Sequence, residues 1–348
     1  MFSLARLGND LYSGERSIDF VGNWKRWLGL GGLLTAVSAL LIAINGFNPG
    51  IEFRGGTQFR VQAGADAEQS VATDAVAKVL GETTEARVSL VGEQTVQVQT
   101  QTMTEQQKTE LREALAAGYG VPAGEVTASF VGASWGQDVT RQALTGLVVF
   151  LVLVSVLLIV YFRAWQMAVA ALVALAHDLL ITAGVYSATG FEVTPAAVIG
   201  FLTILGYSLY DTMVVFDKVR ENTKAALLHG TSTYAEAANT AINQTVVRSI
   251  NTSVVALLPV AAILFIGAFL LGAGTLKDIS LALLVGMLVG TFSSVFIATP
   301  LLVALRGRDA QVRALADRVA VARGTREPVT VGATKSEATS ESDQASET

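Results

Sequence analysis

Six stretches of this chain are each apolar over about 20 residues, the length that crosses a bilayer as a helix. They run near 27–46, 143–162, 167–189, 195–217, 252–271 and 279–305. The stretch 143–162 carries no charge and is bracketed by Arg141 and Arg163. Of the 348 residues, 51% are hydrophobic and only 15% charged, where soluble domains carry roughly 25% charged residues. The first stretch does not read as a cleavable signal peptide, because it follows a long charged leader and ends in NGFNPG without a small-residue cleavage pattern.

Lys and Arg in the short flanks set the expected orientation. The leader holds Arg6, Arg16, Lys25 and Arg26, the turn after the second span has Arg163, and Lys218, Arg220 and Lys224 follow the fourth. Arg306, Arg308, Arg313 and Arg318 follow the last. If all six spans cross, these flanks share one side, so both termini are expected in the cytoplasm. The predicted order is a leader (1–26), a first span (27–46), an external segment (47–140), five spans within 143–305 and a tail (306–348), disordered after about 325. The loop 218–247 reads as polar, with helical stretches.

The external segment reads as a folded unit. IEFRGGTQFRVQ is a strand, AEQSVATDAVAKVLGE an amphipathic helix, and EARVSLV and QTVQVQTQ are two strands around a Val-Gly-Glu turn. In the second of these, Val96 and Val98 alternate with Gln97 and Gln99. MTEQQKTELREALAAGYG is a helix that Thr104 can cap, and GEVTASFVG a closing strand. The order β-α-β-β-α-β is the ferredoxin-like split βαβ pattern. At about 90 residues such a unit can bury a modest core. The predicted fold class is therefore a multi-pass α-helical membrane protein with six transmembrane helices. One small α+β ferredoxin-like external domain lies between helices 1 and 2.

Several functions lose their chemistry at this stage. There is no cysteine, hence no disulfide, Cys–zinc site or iron–sulfur cluster. A net charge of −5 without a basic, aromatic-interleaved cluster argues against nucleic acid. There is no GxxxxGK[ST] loop or HExxH, and the two histidines, His177 and His229, lie on separate segments. The chain is expected not to be an enzyme and to need no cofactor or metal. Gly29, Gly31 and Gly32 in the first span, and Gly200 and Gly206 in the fourth, read as close helix packing.

Two carboxylates inside the apolar stretches carry the functional signal. Asp178 lies in LVALAHDLLITAGVY and Asp211 in VIGFLTILGYSLYDTMVVFDKVREN. A charge at membrane depth costs at least ~2.5 kcal/mol, so such residues mark ion or proton paths. Arg248 enters the fifth span from the side toward which Asp211 lies, which makes an ion pair feasible. The alternatives are interhelical hydrogen bonding for Asp211, a structural neutral pair with His177 for Asp178, and a snorkelling interfacial role for Arg248. Asp217, Lys218, Arg220 and Glu221 read as anchors at the helix exit.

Three segments carry a family resemblance: GIEFRGGTQ after the first span, AHDLLITAGVYSATGFEVTPAAVIGFLTILGYSLYDTMVVFDKVREN, and HGTSTYAEAANTAINQTVVRSINTS. Together they resemble the SecD/SecF family of protein-export membrane proteins, over about 20–305. The resemblance implies that Asp211 is the fourth-span aspartate where proton coupling resides, that Arg248 pairs with it, and that Asp178 is the acid of a third-span His-Asp pair. Gly55 and Gly56 match the family's Gly-Gly, where the chain leaves the membrane for the external domain. Glu52 and Arg54 stand where Asp and Thr are usual, and Tyr210 where many members have Asn. The implied partners are SecD, the SecYEG channel, SecA and unfolded secretory polypeptides, in the bilayer of the bacterial cytoplasmic (inner) membrane. The implied work is translocation driven by the proton-motive force, with protonation of Asp211 weakening its pairing to Arg248. Two alternatives stay open: a proton-driven small-molecule efflux transporter of related fold, and a non-transporting scaffold of the translocase. Sodium also stays open as the coupling ion.

Overall fold

The structure is a computed structural model that describes residues 4–64, 68–81, 86–91, 95–270 and 274–324. Residues 92–94 at the Val-Gly-Glu turn and the tail from 325 lie outside these residues. From the N-terminus, α1 (Leu4–Ser13) leads into α2 (Trp24–Asn45), followed by the short β1 (Asn48–Pro49) and α3 (Ile51–Arg54). The external domain comprises β2 (Gly56–Gln62), α4 (Gln69–Leu80), β3 (Arg87–Val91), β4 (Thr95–Thr100), α5 (Glu105–Tyr119) and β5 (Thr127–Val131). Next come α6 (Ala133–Phe162), α7 (Trp165–Thr189), β6 (Glu192–Val193), α8 (Pro195–His229) and α9 (Tyr234–Ala262). The last elements among the described residues are α10 (Gly274–Ser293), α11 (Thr299–Arg306) and α12 (Ala310–Ala322).

Six helices among the described residues are long and apolar enough to cross a membrane. Their burial is unequal. Helices α7, α8 and α10 are the inner ones, while α2, α6 and α9 leave most of their apolar surface exposed. Small residues make the inner contacts possible, as expected where no hydrophobic force separates protein from lipid. A Cβ on Gly31 would overlap Ile297, one on Gly184 would overlap Ser38, and one on Gly286 would overlap Ile204. A Cβ on Gly200 would come within 2.8 Å of Ala282. Gly29, Gly32 and Gly206, expected in the same role, have open space instead. Composition alone does not show which side of a helix a glycine faces.

The external domain has sheet order β3-β4-β2-β5, all antiparallel, which is the ferredoxin-like arrangement. Period-two alternation divides its faces. Phe59, Val61, Val96 and Val98 point into a core completed by Leu111 and Leu115 of α5 and Val76 of α4. The opposite face carries Gln58, Arg60, Gln97 and Gln99 in register. Thr104 caps α5 in a full capping box with Gln107, so the expected cap forms.

The segment 218–247 is not a loop. Helix α8 continues to His229 and α9 begins at Tyr234, capped by Thr233 and Glu236, so the two spans extend past their apolar stretches as a helical hairpin. Buried Ala226, Tyr234 and Ala237 of this hairpin pack on Val312, Leu315 and Val319 of α12. Asn243 accepts the Ile18 N–H at 2.8 Å and Asn239 the Phe20 N–H at 2.9 Å, tying the leader to α9. Leader, hairpin and α12 thus gather at one end of the bundle, and the α+β domain sits at the other.

Candidate functional site

Helix α7 holds Asp178 at the centre of the bundle, with no exposed surface. One carboxylate oxygen, Oδ2, accepts the hydroxyls of Ser208 on α8 at 2.5 Å and Ser293 on α10 at 2.8 Å. The other lies 3.1 Å from Nδ1 of His177. Three helices therefore meet on one side chain. Gly290 makes this approach possible: a Cβ there would lie 3.0 Å from that of Ser208 and 3.5 Å from Asp178 Oδ2.

Asp211 on α8 is also buried, and its Oδ2 accepts the Ser294 hydroxyl at 2.5 Å. The adjacent serines 293 and 294 thus bond different carboxylates, which joins the two acids through one helix. At this point the backbone changes: Ser294–Ala298 winds as a π-helix, a distortion frequent at functional sites. The extra residue per turn lets successive side chains reach neighbours on different sides. A hydroxyl chain runs alongside, from Tyr207 to Ser253 at 3.1 Å and from Ser253 to Thr291 at 2.6 Å.

Arg248 does not join this group. It lies exposed on α9, and among the described residues no ion pair links it to Asp211. The pairing expected from shared depth fails because the helical phase of α9 turns Ser249 and Ser253 inward, both buried, and leaves Arg248 outside. His177 Nε2 is buried without a hydrogen-bond partner. No group of three or more His, Asp and Glu side chains among the described residues is placed to hold a metal ion.

The serines are the residues that sequence reasoning passed over. Ser208, Ser293 and Ser294 sit in apolar stretches, where a hydroxyl usually bonds its own helix. The one available signal was the doubled serine in TFSSVF, which marks Ser293 and Ser294 but not Ser208. Replacing Ser294 by Ala is expected to lower the unfolding free energy of the chain in bicelles by about 1 kcal/mol, with Ser294→Thr restoring it. A loss no larger than that of an exposed Ser→Ala control would mean that the bond to Asp211 is immaterial.

Gly55 and Gly56 end α3 and open β2 with φ of 74° and 122°. A Cβ on Gly56 would overlap the carbonyl oxygen of Thr100 on β4. The doubled glycine is thus a steric requirement of the domain's entrance, where α3 also packs on α6. A Cβ on Gly136 of α6 would lie 2.7 Å from the Phe53 carbonyl oxygen.

These features coincide with a family match. Residues 112–308 match the profile of the protein export membrane protein SecD/SecF, C-terminal, and residues 40–67 match the SecD/SecF GG motif. The protein translocase subunit SecF of Streptomyces coelicolor is 46% identical over 332 residues, covering 93% of this chain and 86% of that one. The chain belongs to the SecD/SecF family. The subunit SecF of Mycobacterium tuberculosis is 44% identical, over 91% of this chain and 74% of its own. The crystal structure of SecDF from Thermus thermophilus superposes with a TM-score of 0.72 at 34% identity. That match covers 84% of this chain and 39% of the SecDF chain, so this chain spans well under half of that protein. Family membership and six spanning helices make it a multi-pass membrane protein.

Proposed function

We propose that this chain is the SecF-type subunit of the Sec translocase. With SecD, it uses the proton-motive force to promote passage of unfolded polypeptides through SecYEG after SecA-driven initiation. The observation that carries the proton part is the pair of buried acids. Asp178 and Asp211 are held by hydroxyls and one imidazole, with no arginine or lysine in an ion pair with either among the described residues. A carboxylate so placed holds an uncompensated charge when ionised, and taking up a proton removes it. Because Asp178 bonds hydroxyls on two neighbouring helices and Asp211 bonds one, a change in proton count alters the bonds that set helix packing. That is a two-state element of the kind a proton can bias.

Partnership with SecD is supported by surface. The apolar faces of α2, α6 and α9 are largely exposed, and Arg248 on α9 places a cation among them. Both termini are assigned to the cytoplasm, on the Lys and Arg flanks. The relatives bear translocase names, so the efflux alternative finds no support among them.

The scaffold reading has its own observation, since the Ser294–Asp211 bond glues two helices whether or not a proton moves. The test is export of a secretory precursor into inverted membrane vesicles depleted of this chain and then reconstituted with it. Under the proposed function, reconstitution restores a stimulation that a protonophore removes. A restored stimulation that survives the protonophore makes the chain a scaffold.

A further inference from the structure

A second polar cluster lies where the external domain meets the bundle, just past the end of α7, which runs roughly 16 Å beyond Asp178 at 1.5 Å per residue. Its centre is Glu192 of β6, in the turn between α7 and α8. Gln97 of β4 donates its amide to Glu192 Oε1 at 2.6 Å, and Gln99 donates to the same oxygen. Residues 97 and 99 share the sheet face turned away from the helices of the domain. The backbone reinforces the contact: β1 pairs with β6 in parallel, joining Asn48 to Glu192 and Pro49 to Val193. The Gly50 N–H also donates to the Val193 carbonyl at 2.9 Å.

We propose that Glu192 is the positioning residue that seats the external domain on the membrane helices, and that proton uptake by Glu192 tightens this seat. The geometry is specific, because two side-chain amides from one strand converge on a single carboxylate oxygen of another element. Oε1 accepts both amides in either protonation state, which leaves Oε2 to take the proton.

The charges around it decide the direction. Burial pushes Glu192 above the usual carboxylate range; the Gln97 amide and Arg60 of β2 oppose this, while Asp278 of α10 and Glu52 of α3 add to it. Lys277 of α10 also faces the cluster. When the domain lifts, Glu192 meets water and returns to its ordinary value. The seated state therefore binds the proton more tightly. By linkage, this contribution is complete below the ordinary carboxylate value and is lost as pH rises through the raised one. Acid outside favours the seated domain.

The chain contains no cysteine, so one reporter thiol can be placed at will. Gln58 is 5% exposed on the seated face, and its amide nitrogen has no hydrogen-bond partner among the described residues. Gln58→Cys therefore reports lifting without removing a contact of the seat. The full chain in lipid nanodiscs, which expose both faces, is alkylated with a maleimide. Rates are normalised to Ala117→Cys, exposed on α5, to cancel the thiol's own pH dependence. Glu192→Ala is expected to speed labelling at least about tenfold, the effect of losing one charge-assisted hydrogen bond. With Glu192 intact, labelling should slow severalfold from about pH 8 to about pH 5. Glu192→Gln keeps the accepting carbonyl and should label slowly at every pH. Labelling unchanged by Glu192→Ala, or a Glu192→Gln profile with the same pH dependence as Glu192, would overturn the proposal. Neither readout needs translocation, so the result is independent of the export assay.

Discussion

Asp211→Asn is expected to abolish the stimulation of export by a proton gradient while the chain still assembles and inserts. Asparagine has the shape of aspartate, and its carbonyl can accept the Ser294 hydroxyl that now bonds Asp211 at 2.5 Å. The substitution therefore spares the interhelical bond and removes only the capacity to gain and lose a proton. A structural role predicts less than about 1 kcal/mol of destabilisation and normal export. A coupling role predicts that export becomes indifferent to the gradient. The size of the loss has a ceiling: one charge crossing the membrane gains ~2.3 kcal/mol per 100 mV, about 50-fold in an equilibrium. The assay is precursor uptake by inverted vesicles, with and without a gradient, after SecA has begun translocation. Equal responses from Asp211 and its Asn variant would return the carboxylate to a structural role.

Gly56→Ala carries the second large effect, and it acts on the external domain alone. The residue sits at φ 122°, and a Cβ added to it would run into the Thr100 carbonyl oxygen, so alanine meets both backbone strain and a backbone overlap. Strain of this kind costs about 1–3 kcal/mol. The overlap adds to it, because Thr57 and Thr100 are paired across the central strands and cannot part without breaking the ladder. A domain of this size has about 5–13 kcal/mol in hand, so losing about 3 kcal/mol or more exposes it to local unfolding. Gly64 supplies the comparison. It also has positive φ, at 78°, but open space where a Cβ would go, so Gly64→Ala should cost about 1 kcal/mol. Amide hydrogen exchange of β2 and β4 in the full chain measures both. Equal exchange in the two variants would show that the Thr100 contact does not matter.

The acids and the serines differed in how far the sequence revealed them. Asp178 and Asp211 stand out because a charge in an apolar run is costly wherever the run lies. Ser208, Ser293 and Ser294 do not, because a serine can satisfy itself on its own helix and costs little either way. Arg248 was visible, but among the described residues no ion pair joins it to Asp211. Depth along a helix can be counted from sequence, whereas rotation about its axis depends on what the helix packs against. The same limit separated Gly31, which touches Ile297, from Gly29 and Gly32, which touch nothing.

Six spans, the β-α-β-β-α-β order and the doubled glycine were legible in the residues alone, together with the family that these motifs resemble. Each follows from a local requirement: apolar length for the bilayer, period-two or period-3.6 patterning, and positive φ for glycine. Packing settled the rest: 218–247 is a helical hairpin, adjacent serines where α10 meets a π-turn join the two buried acids, and Glu192 receives two glutamines from the external domain. These are contacts between segments far apart in the chain. Their energies arise from helix phase and shared burial, which no local pattern encodes.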